Sequence, residues 1–175
     1  MSDIVLPTPE ALRQRLEALR KSRGFLLPHH GAMAAGLPAP ATRDCRESGM
    51  PVATAIFNGT EDPVNPFAGG LVSVFGNTSR GEVLSSQATA RYWARLAGYS
   101  GEPALEELPD RDPGDGTRVR IEHWQAPERA EVAHYMIEGG GHTIPSRGLQ
   151  LPRFVGRTTL DIDGPREAWE FFKRQ

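Results

Sequence analysis

The chain has little of several things, and each shortage excludes something. It holds a single cysteine, Cys45, among 175 residues, so neither an internal disulfide framework nor a multi-cysteine metal site is available. One thiol does not fix the compartment, but it suits a reducing cytoplasm. No stretch approaches the ~20 apolar residues needed to span a bilayer. The start, Met1-Ser2-Asp3-Ile4-Val5-Leu6-Pro7, lacks the basic-then-apolar pattern of a signal peptide. The expectation is a cytoplasmic protein with no membrane partner, unless the natural N-terminus lies further upstream, in which case a secreted parent fits. Net charge is −2, too near zero to suggest a nucleic-acid partner. Hydrophobic residues make up only 38%, below ordinary globular usage.

What is plentiful is turn chemistry, with 19 glycines and 15 prolines. A chain with few core-formers and many turn-formers carries long loops or lacks part of a core. Its length suits one domain.

Thr8 to Ser22 reads as a helix, capped by Thr8, with Leu12, Leu16 and Leu19 on one face and Gly24 as its stop. Pro28 to Pro51 favours an irregular connection. Val52 to Phe57 is almost wholly apolar and ends at Asn58-Gly59, the profile of a strand buried on both faces. A loop follows, then a helix from Ser86 to Ala97 with Ala90, Trp93, Ala94 and Ala97 as its buried stripe and Gly98 as its stop. Gly101 to Gly116 has no periodicity and reads as a surface loop. Arg118 to Trp124 alternates, and Val132 to Ile137 is an apolar strand ending at Gly139-Gly140-Gly141. A last helix spans about Pro165 to Phe172, capped by Asp163 or Gly164, with Trp169 and Phe172 facing in. This order favours an α/β fold with right-handed crossovers.

Two places combine a strand end, a glycine turn and one ionisable residue. Asn58-Gly59-Thr60-Glu61-Asp62-Pro63 delivers Asp62 onto a proline-stiffened loop, and Gly139-Gly140-Gly141-His142 presents His142. Reactive groups of open α/β sheets gather at the carboxyl ends of strands. An acid followed by a histidine is the chain order a serine hydrolase of this class requires, the histidine moving the nucleophile's proton and the acid orienting the ring.

The stretch Asn58-Gly59-Thr60-Glu61-Asp62-Pro63-Val64-Asn65-Pro66-Phe67-Ala68-Gly69-Gly70 resembles the acid loop of polyhydroxybutyrate depolymerase-like esterases, a branch of the α/β-hydrolases that includes feruloyl esterases. Glu138 to Pro145 resembles that family's glycine-glycine-glycine-histidine turn. Asp161-Ile162-Asp163, followed by Trp169, Phe171 and Phe172, looks like its terminal helix entry. The likeness covers about Gly31 to the C-terminus. It implies the C-terminal half of a mostly parallel α/β-hydrolase sheet with flanking helices in residues 31–175, while residues 1–30, read as an N-terminal helical segment, do not match the family. It further implies cleavage of a carboxylic ester (a polyester, an acylated polysaccharide or a small ester) with Asp62 and His142 as catalytic residues and no cofactor or metal.

The chain departs from the family pattern in four ways. Asn58 stands where the family has histidine, and Ile144 where it has tryptophan. No serine sits in a Gly-x-Ser-x-Gly elbow, and the upstream strands are missing, so a non-catalytic remnant or binding domain is the alternative. Loss of those strands also leads us to expect self-association or loose packing.

Other candidates have plainer readings. Cys45, between Arg43 and Arg46, is a loop thiol before a strand rather than a nucleophile. His29 and His30 lack a third ligand at metal spacing. His123 and His134 are cross-strand or core neighbours. Trp93, Trp169, Phe171 and Phe172 are core residues, and Glu61 and Glu138 are solvated.

Overall fold

A computed structural model describes residues 31–33, 37–39, 49–149 and 151–175. The Thr8–Ser22 helix, His29, His30 and Cys45 lie outside the described residues. Strands β1 (Gly31–Met33), β2 (Thr54–Gly59), β5 (Ala104–Glu107), β6 (Arg118–Trp124) and β7 (Val132–Glu138) form one sheet in the order β1-β2-β7-β6-β5. A two-stranded ribbon, β3 (Gly70–Leu71) with β4 (Glu82–Val83), stands apart. Helix α1 runs Ser86–Leu96 and α2 runs Gly164–Lys173.

The sheet is mixed, which corrects the expectation of a mostly parallel one. β1 pairs parallel with β2 and β2 parallel with β7, whereas β6 and β5 are added antiparallel. The reason lies in the connections. Adjacent parallel strands need a long crossover, and α1 provides one between β2 and β7. The β5–β6 segment lies between α1 and β7 in the chain, and the turn at 125–131 is short enough that β6 runs back beside β7.

Each face of the sheet has its own helix. All six residues of β2 are buried, as a strand covered on both sides demands. On one face Ile56, Trp124 and Val132 pack with Ala90, Ala94 and Ala97 of α1 and its end. On the other, Ala55, Phe57, Val119, Ile121, Tyr135 and Ile137 pack with Ile162 and Phe171 of the α2 side. Phe57 and Tyr135, register partners, stack at 4.3 Å between centroids. The side chain of Ser85 caps α1, accepting from the Ala88 amide, and Asp163 caps α2 through the Arg166 amide.

Four local expectations change. Gly101–Gly116 is not all loop: β5 forms within it, exposed at all four residues and held by its pairing to β6. Gly31–Met33, inside the expected irregular connection, is a strand. Trp169 is 63% exposed, while Phe171 is fully buried. The α2 stripe is Gly164, Ala168, Phe171 and Phe172 at three- and four-residue steps, which turns Trp169 outward. Glu138 is half-buried and pairs with Arg120, whereas Glu61 is exposed as expected, with Arg157 beside it.

A candidate catalytic dyad at the strand ends

β2 and β7 are parallel neighbours, so their carboxyl ends lie side by side, and the loops leaving them meet. The junction is close-packed backbone. The Thr60 amide donates to the Ile137 carbonyl at 2.9 Å, and the Glu61 amide to the Gly140 carbonyl at 2.9 Å. In return the Gly139 amide donates to the Thr60 hydroxyl at 2.9 Å. A Cβ on Gly59 would overlap the Gly140 carbonyl, and one on Gly141 would overlap Gly156 and the Val155 carbonyl. Glycine is required at both positions because backbone meets backbone there.

This junction carries Asp62 and His142. Asp62 Oδ1 accepts from the amides of Val64 and Asn65, both at 2.8 Å, so the carboxylate is locked by its own loop. Asp62 Oδ2 faces His142 Nδ1 at 2.9 Å. The Asp62 side chain is 3% exposed and that of His142 42%. A carboxylate offers only acceptors, so Nδ1 donates to it, and in the neutral ring Nε2 keeps the lone pair. His142 is further held from behind, its amide donating to the Val155 carbonyl at 2.6 Å. Neighbouring Thr143 donates its hydroxyl to the Arg157 carbonyl at 3.0 Å. An oriented imidazole with a free Nε2 can take a proton from a nucleophile and return it to a leaving group.

Both sequence-chosen residues thus sit within hydrogen-bonding reach of each other. The structure also assembles a set that sequence reasoning did not single out as one unit. Ser86 Oγ lies 2.6 Å from His134 Nε2, and His134 Nδ1 lies 2.9 Å from Glu122 Oε2. Ser86 Oγ also meets Asn58 Oδ1 at 2.7 Å. This is a hydroxyl–imidazole–carboxylate chain, but His134 is fully buried and Ser86 2% exposed, so an ester carbonyl has no approach to the hydroxyl. The cluster fastens the start of α1 to β2, β7 and β6. His123, the other strand histidine, meets Glu106 across the β5–β6 pair at 3.0 Å.

Among the described residues no three His, Cys, Asp or Glu side chains are grouped to hold a metal ion, and no helix is long and apolar enough to cross a membrane. No family model, curated protein or solved structure matches this chain.

Proposed function

We propose that this chain carries the acid–histidine half of a carboxylic ester hydrolase working by a serine-histidine-aspartate mechanism, of the polyhydroxybutyrate depolymerase-like type within the α/β-hydrolases. The observation that carries the reading is the 2.9 Å contact between His142 Nδ1 and Asp62 Oδ2 at the adjoining ends of two parallel strands. In this reading His142 Nε2 is general base, then general acid, and Asp62 holds the ring tautomer and stabilises the imidazolium. The serine must come from outside this sequence, together with one oxyanion donor that an elbow normally supplies.

A second reading has its own support. The chain contains no Gly-x-Ser-x-Gly, and a dyad without its nucleophile loses most of the rate, so the polypeptide by itself is a non-catalytic domain or remnant. One experiment separates the two. The chain alone should neither label with a fluorophosphonate nor turn over p-nitrophenyl butyrate. Fused behind the elbow-bearing N-terminal portion of an esterase of that type, it should turn the ester over, and His142→Ala and Asp62→Asn should abolish the activity. Turnover that ignores His142→Ala would sink the hydrolase reading. An inert but folded fusion would favour the non-catalytic domain.

A further inference from the structure

On the α2 face of the sheet lies a cavity of about 270 Å³, whose lining includes Ile121 of β6, Tyr135 of β7 and Ile162. A wider hollow of about 580 Å³ shares Arg111, Arg147 and Glu167 with it. Neither Asp62 nor His142 lines either space. One water takes about 30 Å³, and pockets for small molecules begin near ~300 Å³. The inner space therefore suits a small metabolite.

Some of the ionic groups in this lining are already matched. Arg174 donates Nε and Nη2 to Glu131 at 3.0 and 2.7 Å, and His123 meets Glu106 at 3.0 Å. The others are not. Glu167 is half-buried and has no ion pair among the described residues. It lies near the Tyr135 hydroxyl, which burial, with Glu167 beside it, pushes up to about 12. Asp161 is 1% exposed; its Oδ1 accepts from the Arg111 and Asp112 amides at 2.6 and 3.2 Å, while Oδ2 is enclosed without a partner. On the cationic side, Arg147 donates to the Asp161 backbone carbonyl at 3.0 Å. Neither it nor Arg111 has an ion pair among the described residues, and both are exposed. The acids lie within and the guanidiniums at the rim.

A carboxylate drawn out of water without a counter-charge is costly to the fold. A cationic ligand would answer the acids and leave the guanidiniums; an anionic one would do the reverse. Water answers neither charge. The complement is a small molecule that carries both. We propose that this cavity binds a free aliphatic α-amino acid, its ammonium toward Glu167 and Tyr135 and its carboxylate on Arg111 and Arg147. Guanidinium groups suit the second role because they hold a carboxylate with two parallel hydrogen bonds. Ile121 and Ile162 offer the side chain an apolar wall. The site is separate from the dyad and stands apart from the hydrolase reading.

Amide-resolved NMR titration of the full chain tests it with three probes: L-valine, isobutylamine, which lacks the carboxylate, and 3-methylbutanoate, which lacks the ammonium. Valine should shift residues 111, 147, 161 and 167 and bind at least about ten-fold more tightly than either half, as two charge-assisted contacts require. Glu167→Gln should weaken valine by about ten-fold and leave 3-methylbutanoate unchanged. Arg111→Gln should weaken valine and 3-methylbutanoate and leave isobutylamine unchanged. His142→Ala should bind valine as the wild type does. Both charge variants should keep the wild-type melting temperature, since neither breaks an ion pair. If one of them fails to fold, the ranking of the three probes on the wild-type chain still decides. Equal affinity for valine and either half overturns the zwitterion site. So does the absence of saturable shifts at those residues, which would leave a cavity filled by water only.

Discussion

Two histidines in this molecule each hold a carboxylate at 2.9 Å through Nδ1: His142 with Asp62, and His134 with Glu122. They differ in what happens at the other ring nitrogen. His142 lies past the end of β7, where its side chain is 42% exposed. His134 lies within β7, where Nε2 meets a buried serine hydroxyl. The same pair of functional groups is partly exposed in one place and is a buried fastening in the other. Access separates them, and the position of each residue along a single strand sets access. A spatial search for Ser–His–acid geometry alone would choose His134, the buried one.

The largest expected effect falls on the buried member. His134→Ala opens a cavity between α1 and the sheet, takes one of two partners from Ser86 and leaves Glu122 without its imidazole partner. Leaving the mostly buried Glu122 carboxyl without its hydrogen-bond partner costs about 3–5 kcal/mol. Urea denaturation should register that loss, and a change under ~1 kcal/mol would mean that the cluster is open to water. Fluorophosphonate should leave Ser86 unlabelled in the wild-type chain, and labelling there would break the contrast between the two histidines.

Gly141→Ala tests the exposed member through its scaffold. The added Cβ has to displace the backbone at Val155 and Gly156, the same segment that holds the His142 amide. A cost of about 2–4 kcal/mol is expected from forcing two backbones apart. The His142 ring resonances should shift with it, because the strap and the dyad share residues.

Tyr135 sharpens the comparison from the opposite face of β7. It is 3% exposed, and burial, with Glu167 nearby, pushes its hydroxyl up to about 12 from 10.0. The unfolded chain ionises first, so the contribution is fully present below pH 10 and is lost as pH rises from 10 through 12. Two units correspond to about 2–3 kcal/mol. Chemical denaturation at pH 9 and pH 12 should show a loss of that order that Tyr135→Phe removes.

The ends of this comparison were unequally legible in the sequence. Asp62 and His142 each follow an apolar strand and a glycine turn, so chain order alone brings them to neighbouring loops. Ser86, Glu122 and His134 are isolated polar letters, and only the β6–β7 register, which sets Glu122 opposite His134, and the docking of α1 unite them. β5 left no trace because all four of its residues are exposed and none alternates. β1, a Gly-Ala-Met triplet, is too short for any periodicity. Trp169 was misplaced because aromatic character outweighed the helical step that puts Phe171 inward. The parallel bias of the expected sheet came from the family resemblance, with β7 read as an apolar strand. That reading is right for its burial, yet it does not say which way β6 runs.

The smallest stability effect should come from the residue that matters most to the proposed chemistry. His142→Ala removes a ring that is 42% exposed, so little burial is forfeited. Asp62 keeps both backbone hydrogen bonds to Oδ1, and the vacated space admits water to Oδ2. A partly exposed imidazole–carboxylate contact of this kind contributes about 1 kcal/mol or less, so the urea midpoint should barely move. In the elbow fusion, the same substitution should lower kcat by about 10³-fold or more, since loss of a triad member leaves only binding and oxyanion stabilisation. A residue nearly silent in stability and decisive in rate is a catalytic one. If His142→Ala instead destabilised the chain as much as His134→Ala does, the Asp62 contact would be another fastening, and the distinction between the two histidines would collapse.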